Sequence, residues 1–302
     1  KYEQPDTDFP TDVRTMVLQG DTLWIGSLNG LYTYQLKSRQ LNHFDSKQTG
    51  LPHNTIYSII HTKDNQIYIG TYNGLCRYVQ ASGKFENILL PVNRGGSNLF
   101  VNSLLEDAAR QCIWIGMEGY LFQYNPTTGE MKAIEVFHNN SIKSLALDGD
   151  ENLLAGTDNG LYVYQNDKEP LQHIIHDSRN IQSLTNNIIW NIFSDQEHNI
   201  WLGTDYGISL SRYNSALQFV PISQITGTGD GNQFYSLFRD SKGFYWFGGT
   251  NGVIRFTHPA GNKHDAIWYR MGDKNYPLSH NRIRHIYEDR EQQLWIATDG
   301  SI

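Results

Sequence analysis

Two cysteines, Cys76 and Cys112, in 302 residues leave no room for a disulfide scaffold or a structural zinc cluster. No apolar run approaches the ~20 residues that a membrane helix needs, so this segment does not insert into a bilayer as a helix. No stretch of Lys or Arg interrupts a formal net charge of −7. That balance argues against a duplex nucleic acid or an anionic membrane surface as partner. The start, KYEQPDTDFP, lacks a basic segment followed by an apolar one and does not read as a signal peptide. Charged residues are only 18% of the chain, while aromatics reach 13%. Few charges and many aromatics exclude disorder, and a chain this long buries about three quarters of its unfolded surface.

What is present is a repeat. An eight-residue motif reads WIGSLNGL from Trp24, YIGTYNGL from Tyr68, WIGMEGYL from Trp114 and LAGTDNGL from Leu154. It continues as WLGTDYGI from Trp201, WFGGTNGV from Trp246 and WIATDGSI from Trp295, at spacings of 44, 46, 40, 47, 45 and 49 residues. Such a period is that of a four-stranded propeller blade. Ten residues after the motif start stands an aromatic: Tyr34, Tyr78, Tyr124, Tyr164 or Phe256. In the fifth copy Tyr213 arrives two residues late, which suggests a bulge or insertion. Six residues before the start stands Asp148, Asp195, Asp240 or Asp289, and fourteen before it Asn54, Asn140, Asn187, Asn232 or Asn281.

Each unit reads as four strands. The first, such as IYSII from Ile56 or IIWNIF from Ile188, is apolar on both faces, as a strand covered on both sides would be. A polar turn with Asp follows, then the WIGT strand, an Asn-Gly hairpin at 29–30, 73–74, 159–160 or 251–252, a third strand and a more polar fourth. No amphipathic helix is evident. The Gly after Trp-Ile reads as a point where blades approach closely, and the motif Trp residues read as core. The expectation is an all-β fold, a seven-bladed β-propeller forming one domain over 1–302. The seventh motif ends with the chain at Ile302, so the last blade is expected to be incomplete and the chain to be a fragment of a longer protein.

The pattern N-x-I-x-x-I-x-x-D-x-x-x-x-I-W-I-G-T-x-x-G-L-x-x-Y resembles the two-component regulator propeller repeat, best from Asn54 to Tyr78 and from Asn187 to Gly207. Leu154 for Trp, the Gly119-Tyr120 order and Ala297 for Gly depart from it. The resemblance implies the periplasmic sensor region of a hybrid two-component histidine kinase of Bacteroides type. It further implies more propeller blades in the same chain, a homodimeric receptor, and an oligosaccharide from glycan breakdown as the ligand.

No zincin HExxH, phosphate loop or nucleophile elbow occurs, and no cofactor or metal is implied. Asp148-Gly-Asp150-Glu-Asn152 imitates the start of a calcium loop, but Leu153 replaces the required Gly, which favours a plain hairpin turn. Gly227-Thr-Gly229-Asp-Gly231 reads as a flexible loop because no helix follows it. Asp240-Ser-Lys-Gly243-Phe-Tyr-Trp246 resembles the sialidase Asp-box with its Gly one residue late. Cys76 sits at a core position and Cys112 in the turn before a second strand, so free thiols are expected.

Ligand candidates are the positions where the repeat varies. Eleven residues before the motif start stand Tyr57, Ser103, Lys143, Trp190, Tyr235 and Arg284. The neighbouring second-to-third-strand turns add Tyr72, Glu118, Tyr120, Asp158, Asp205 and Tyr206. Aromatics there can stack on sugar rings, and Lys143 or Arg284 can grip a carboxylate or sulfate. The competing reading makes the first-strand residues packing. The repeating Asn residues read as Asx-turns that lead into strands. Two other functions compete with sensing: a glycan lyase or glycosidase with unrecognised carboxylates, and a protein-interaction propeller.

Overall fold

Period-two alternation broken by Gly, Asn and Asp turns folds almost every segment into short antiparallel strands, as seen in a computed structural model that describes residues 9–92, 99–134, 140–165, 172–223, 232–257 and 265–302. Blade one comprises β1 (Val13–Gln19), β2 (Thr22–Ser27), β3 (Gly30–Gln35) and β4 (Leu41–Phe44). A single helical turn, α1 (Ser46–Thr49), capped by Asp45, leads to blade two. That blade holds β5 (Ile56–His61), β6 (Ile67–Thr71), β7 (Gly74–Val79) and β8 (Lys84–Ile88). Blade three holds β9 (Val101–Asp107), β10 (Cys112–Met117), β11 (Leu121–Tyr124) and β12 (Met131–Ile134). Blade four holds β13 (Ile142–Leu147), β14 (Leu153–Thr157), β15 (Gly160–Tyr164) and β16 (Gln172–Ile174). Blade five holds β17 (Ile189–Ser194), β18 (Ile200–Thr204), β19 (Gly207–Ser211) and β20 (Phe219–Pro221). Blade six holds β21 (Phe234–Arg239), β22 (Tyr245–Gly249), β23 (Gly252–Phe256) and β24 (Ile267–Tyr269). The seventh motif yields only a two-stranded sheet, β25 (Ile283–Glu288) and β26 (Leu294–Thr298).

The expectation of a seven-bladed propeller is therefore corrected. There are six four-stranded blades, each a meander in sequence order, and a two-stranded remainder. The motif repeats with the second strand of a blade, so counting motifs counts second strands and not complete sheets.

The chain forms two compact units, residues 1–141 with 297–302, and residues 142–296. Blades one to three belong to the first, blades four to six and β25 to the second. Within each unit the core lies between consecutive blades. Trp24, Leu31, Ile56, Ile59 and Ile69 pack together between blades one and two, and Trp201, Phe234, Leu237 and Phe247 between blades five and six. Every residue of β6, β10, β14, β18 and β22 is buried. The first strands are more open than expected. They form one edge of each sheet, whereas second strands are flanked on both sides and covered on both faces.

The second-strand glycines are where blades meet. A Cβ on Gly203 would stand 2.6 Å from the Phe234 carbonyl oxygen of the next blade, and one on Gly248 would stand 2.5 Å from Ile283 Cγ2. Gly252, at φ +104°, turns the β22–β23 hairpin in a conformation L side chains rarely adopt. Asn187 and Asn281 do not make the Asx-turns expected of the repeating Asn residues. The Asn187 side chain accepts the His176 N–H at 2.6 Å and its carbonyl accepts the Gly160 N–H at 2.7 Å. Asn281 repeats this with Met271 and Gly252, each at 2.7 Å. These residues thus fasten a new blade to the hairpin of the previous one. No bulge or insertion explains the late Tyr213 either. The β18–β19 register is unbroken, Ser211 takes the aromatic's place, and Tyr213 reaches Asp150 through its hydroxyl at 3.3 Å.

Candidate functional site

Six first strands share one irregularity. Pairing with the second strand skips Arg14 in β1, Tyr57 in β5, Lys143 in β13, Trp190 in β17 and Tyr235 in β21. In β9 the skipped residue is Asn102. Such a β-bulge leaves one residue out of the ladder, bends the strand and re-aims a side chain, and bulges are frequent beside functional sites. The variable positions read from the sequence are therefore the bulged ones in blades two, four, five and six.

The sequence reading misplaced this position in blade three and assigned none in blade one. Blade three places Asn102, not Ser103, at the bulge, because its turn is one residue longer and puts Asp107 seven residues before Trp114. Blade one places Arg14 there, because its Gly20-Asp21 turn is shorter. The varying distance from turn to motif was the available signal for both.

In the second unit three bulged residues and Arg284 come together. The Lys143 ammonium lies 4.5 Å from the centre of the Trp190 ring. The Trp190 and Tyr235 rings meet edge to face at 5.4 Å. The Arg284 guanidinium lies 5.0 Å from the centre of the Tyr235 ring. The four side chains thus form a ladder of cation, indole, phenol and cation, drawn from β13, β17, β21 and β25 and half-buried throughout.

Polar groups hold the aromatic pair in place. Trp190 Nε1 donates to Asp205 Oδ1 at 3.0 Å, and Gln233 Nε2 donates to the same oxygen at 2.6 Å. The Tyr235 hydroxyl donates to Gln233 Oε1. Trp190, Asp205, Gln233 and Tyr235 therefore close a ring of contacts across blades five and six. Gln233 escaped the sequence reading. It stands beside the repeating Asn232, and its position carries no recurring chemistry in other blades.

The remaining candidates lie elsewhere. In the first unit Tyr72 packs against Phe100 at 4.2 Å and against His53 at 5.0 Å, while Tyr57 stands 6.1 Å from Phe100. Burial pushes the Tyr57 hydroxyl up, against the pull of the Arg14 charge. Tyr120 stacks on Phe122 at 5.7 Å and packs against the core of blade three. Glu118 is exposed and pairs through its backbone with Ser141. Asp158 and Tyr206 are exposed on their hairpins.

Other motifs are structural. Asp148 accepts the N–H groups of Asp150 and Asn152 at 2.9 and 2.8 Å, an ordinary hairpin turn. Asp240 accepts Trp246 Nε1 at 2.8 Å, so the Asp-box likeness marks a strut. The loop at 227–231 lies outside the described residues. Both cysteines are free and buried; Cys112 opens β10 instead of lying in the turn. Burial pushes both thiols up. Among the described residues no group of three or more His, Cys, Asp or Glu is placed to hold a metal ion, and no helix is long and apolar enough to cross a membrane.

Comparison with known proteins follows the repeat. Residues 50–73, 183–206, 228–251 and 277–300 match the family described as two component regulator propeller. The chain is 83% identical to the extracellular domain of a hybrid two-component system of Bacteroides thetaiotaomicron, over 99% of this chain and 40% of that one, with a TM-score of 0.70. A second such domain from the same bacterium shares 19% identity over 96% of this chain and 39% of that one, with a TM-score of 0.78, a likeness of fold alone. A histidine kinase of Formosa agariphila is 25% identical over 278 residues, 81% of this chain. The chain spans 19% of that kinase and 40% of the first solved domain, well short of their full lengths. The chain carries repeats that match the two-component regulator propeller family and is related to the extracellular domains of hybrid two-component systems.

Proposed function

We propose that the chain is the ligand-binding part of a periplasmic sensor region in a hybrid two-component histidine kinase, and that it detects oligosaccharides released by glycan breakdown. In this reading the rest of the receptor, as a homodimer, carries the signal to transcription of polysaccharide-utilisation genes. The observation that carries the proposal is the Lys143–Trp190–Tyr235–Arg284 ladder. Aromatic faces flanked by cations suit sugar rings, whose C–H faces stack on aromatics while their polar groups seek charged donors. Placement on bulges of consecutive first strands gives several blades a share in one contact surface, which suits a ligand longer than one sugar. The chemistry supports binding and not turnover, and the relatives are sensor systems.

The test is calorimetric titration of the purified chain with a panel of oligosaccharides from plant, fungal and host glycans. Saturable binding of one class without cleavage supports the proposal. Binding of none, or release of shortened products, contradicts it.

A further inference from the structure

We infer that the outer part of blade six is a docking surface for a further stretch of the same polypeptide, and that this stretch brings a carboxylate to Arg255. The step rests on the sensor reading only in taking the chain as one part of a longer extracellular region. Arg255 lies on β23, directly opposite Trp246 of β22 and Ile267 of β24, so the three share one face of the sheet. Its guanidinium carbon lies 4.6 Å from the centre of the Phe244 ring and 5.8 Å from that of Trp246. Its Nε is buried and meets no acceptor, and Arg255 forms no ion pair among the described residues. Blade two shows what is missing. Arg77 holds the same place there, opposite Tyr68 and Glu86, and its Nη2 donates to Glu86 at 2.7 Å. Blade six puts Ile267 where blade two has Glu86. The one acid between β23 and β24 is Asp265, which is exposed and forms no ion pair with Arg255. A guanidinium stacked on rings keeps its N–H fork for a carboxylate.

The surroundings of Arg255 are apolar and open. Ile267, Met271 and Tyr276 are 43%, 56% and 54% exposed. Tyr269, on the same face as Ile267, packs against Trp246 at 5.5 Å and against Tyr276 at 6.0 Å. Leu294 and Ile296 of β26, which pack into the same cluster, are only partly buried, while their counterparts Ile200 and Leu202 of β18 are buried. Exposed apolar side chains around an arginine and tyrosines have the composition of a protein interface. The patch is far smaller than the roughly 20–30 residues a side of an interface between separate proteins. A tethered segment needs much less, because the link holds it at high effective concentration. The chain spans 40% of the related extracellular domain, so a region of that kind has polypeptide to supply such a segment.

Labelling with phenylglyoxal, which is selective for arginine, reads the contact directly. Arg255 should react about tenfold more slowly in the whole extracellular region of the parent receptor than in the 302-residue chain, because the reagent enters only while the contact is open. That ratio should not change with protein concentration. The Arg255→Lys variant of the longer protein then identifies the partner. A carbodiimide condenses the introduced amine with a touching carboxylate, and the water lost as the amide forms passes to the reagent. The amide should join position 255 to an Asp or Glu outside residues 1–302. Equal labelling overturns the inference, as does an amide to a carboxylate within 1–302 or no amide at all. Protection that grows with protein concentration also overturns it and marks a second copy as the occupant. Oligosaccharide titration of the same chain judges the sensor reading separately, so either can fail while the other stands.

Discussion

At the residue scale, one side chain ties blades three, five and six together, and the two-stranded sheet with them: the Asp of the turn before the second strand. Asp195 Oδ1 accepts the N–H groups of Glu197 and Asn199, at 3.1 and 2.8 Å, and so shapes the turn. Its Oδ2 accepts Trp201 Nε1 at 2.8 Å and the Tyr245 hydroxyl of the next blade at 3.1 Å. Asp107, Asp240 and Asp289 each take the indole N–H of Trp114, Trp246 and Trp295 in the same way. A buried indole needs such a partner, because an unsatisfied buried donor costs about 1–3 kcal/mol. Burial works against the charge of Asp107, yet its bonds from Trp114 and Arg110 hold the carboxyl below the usual range. Burial and the neighbouring Asp195 charge together push the Tyr245 hydroxyl up.

Blade four shows the device without its indole, since Leu154 stands where Trp would be and Asp148 serves only its turn. Asp195→Ala should therefore destabilise the chain by roughly 3–5 kcal/mol, and Asp148→Ala by about 1 kcal/mol. Urea denaturation of both variants measures the difference. Equal losses would show that the indole bond adds nothing to the turn.

At the element scale, the strands and hairpins were legible because period-two apolar patterning, Asn-Gly turns and the Asp turn all agree on the same boundaries. Position along the strand was legible only where turn lengths are equal. Lys143, Trp190 and Tyr235 precede turns of one length and fall on the bulge as their spacing implies. Arg14 and Asn102 precede shorter and longer turns, and a one-residue slip moves a side chain to the other face. Tyr213 shows the same limit, since its spacing mimics an insertion while the ladder runs on through Ser211.

The second strands are set by their glycines. A Cβ at position 203 would meet the Phe234 carbonyl at 2.6 Å and Phe234 Cβ at 3.2 Å, and the backbone oxygen cannot swing away as a side chain end would. Gly203→Ala should destabilise by about 1–3 kcal/mol through overpacking between blades five and six. A thermal unfolding shift corresponding to less than about 0.5 kcal/mol would show that the blades tolerate wider spacing there.

At the scale of the whole molecule, the repeat revealed the architecture of blades but overstated their number. Six four-stranded sheets are built, and the seventh motif contributes β25 and β26. The candidate site was legible as a set of variable positions and not as a geometry. Of the residues singled out, Lys143, Trp190, Tyr235 and Arg284 converge because they lie on first strands that run side by side within the second unit, and Asp205 reaches Trp190 from the hairpin of blade five. Tyr57 and Tyr72 join an aromatic cluster of the first unit, Tyr120 packs against Phe122, and Glu118 and Tyr206 are exposed. Sequence variation marks every position freed from the repeat, whether it meets a ligand or not. Only contact between side chains from different blades sorts them.

The claim that the ladder is a ligand platform and not blade packing is tested most directly by the double variant Trp190→Ala/Arg284→Ala. Calorimetric titration with the oligosaccharide that binds the parent chain, alongside its melting temperature, decides between the two. The account predicts loss of detectable binding with a melting temperature close to the parent's, since both side chains are only half-buried. Unchanged binding, or a collapse of the melting transition, would contradict it and assign Trp190 and Arg284 to packing.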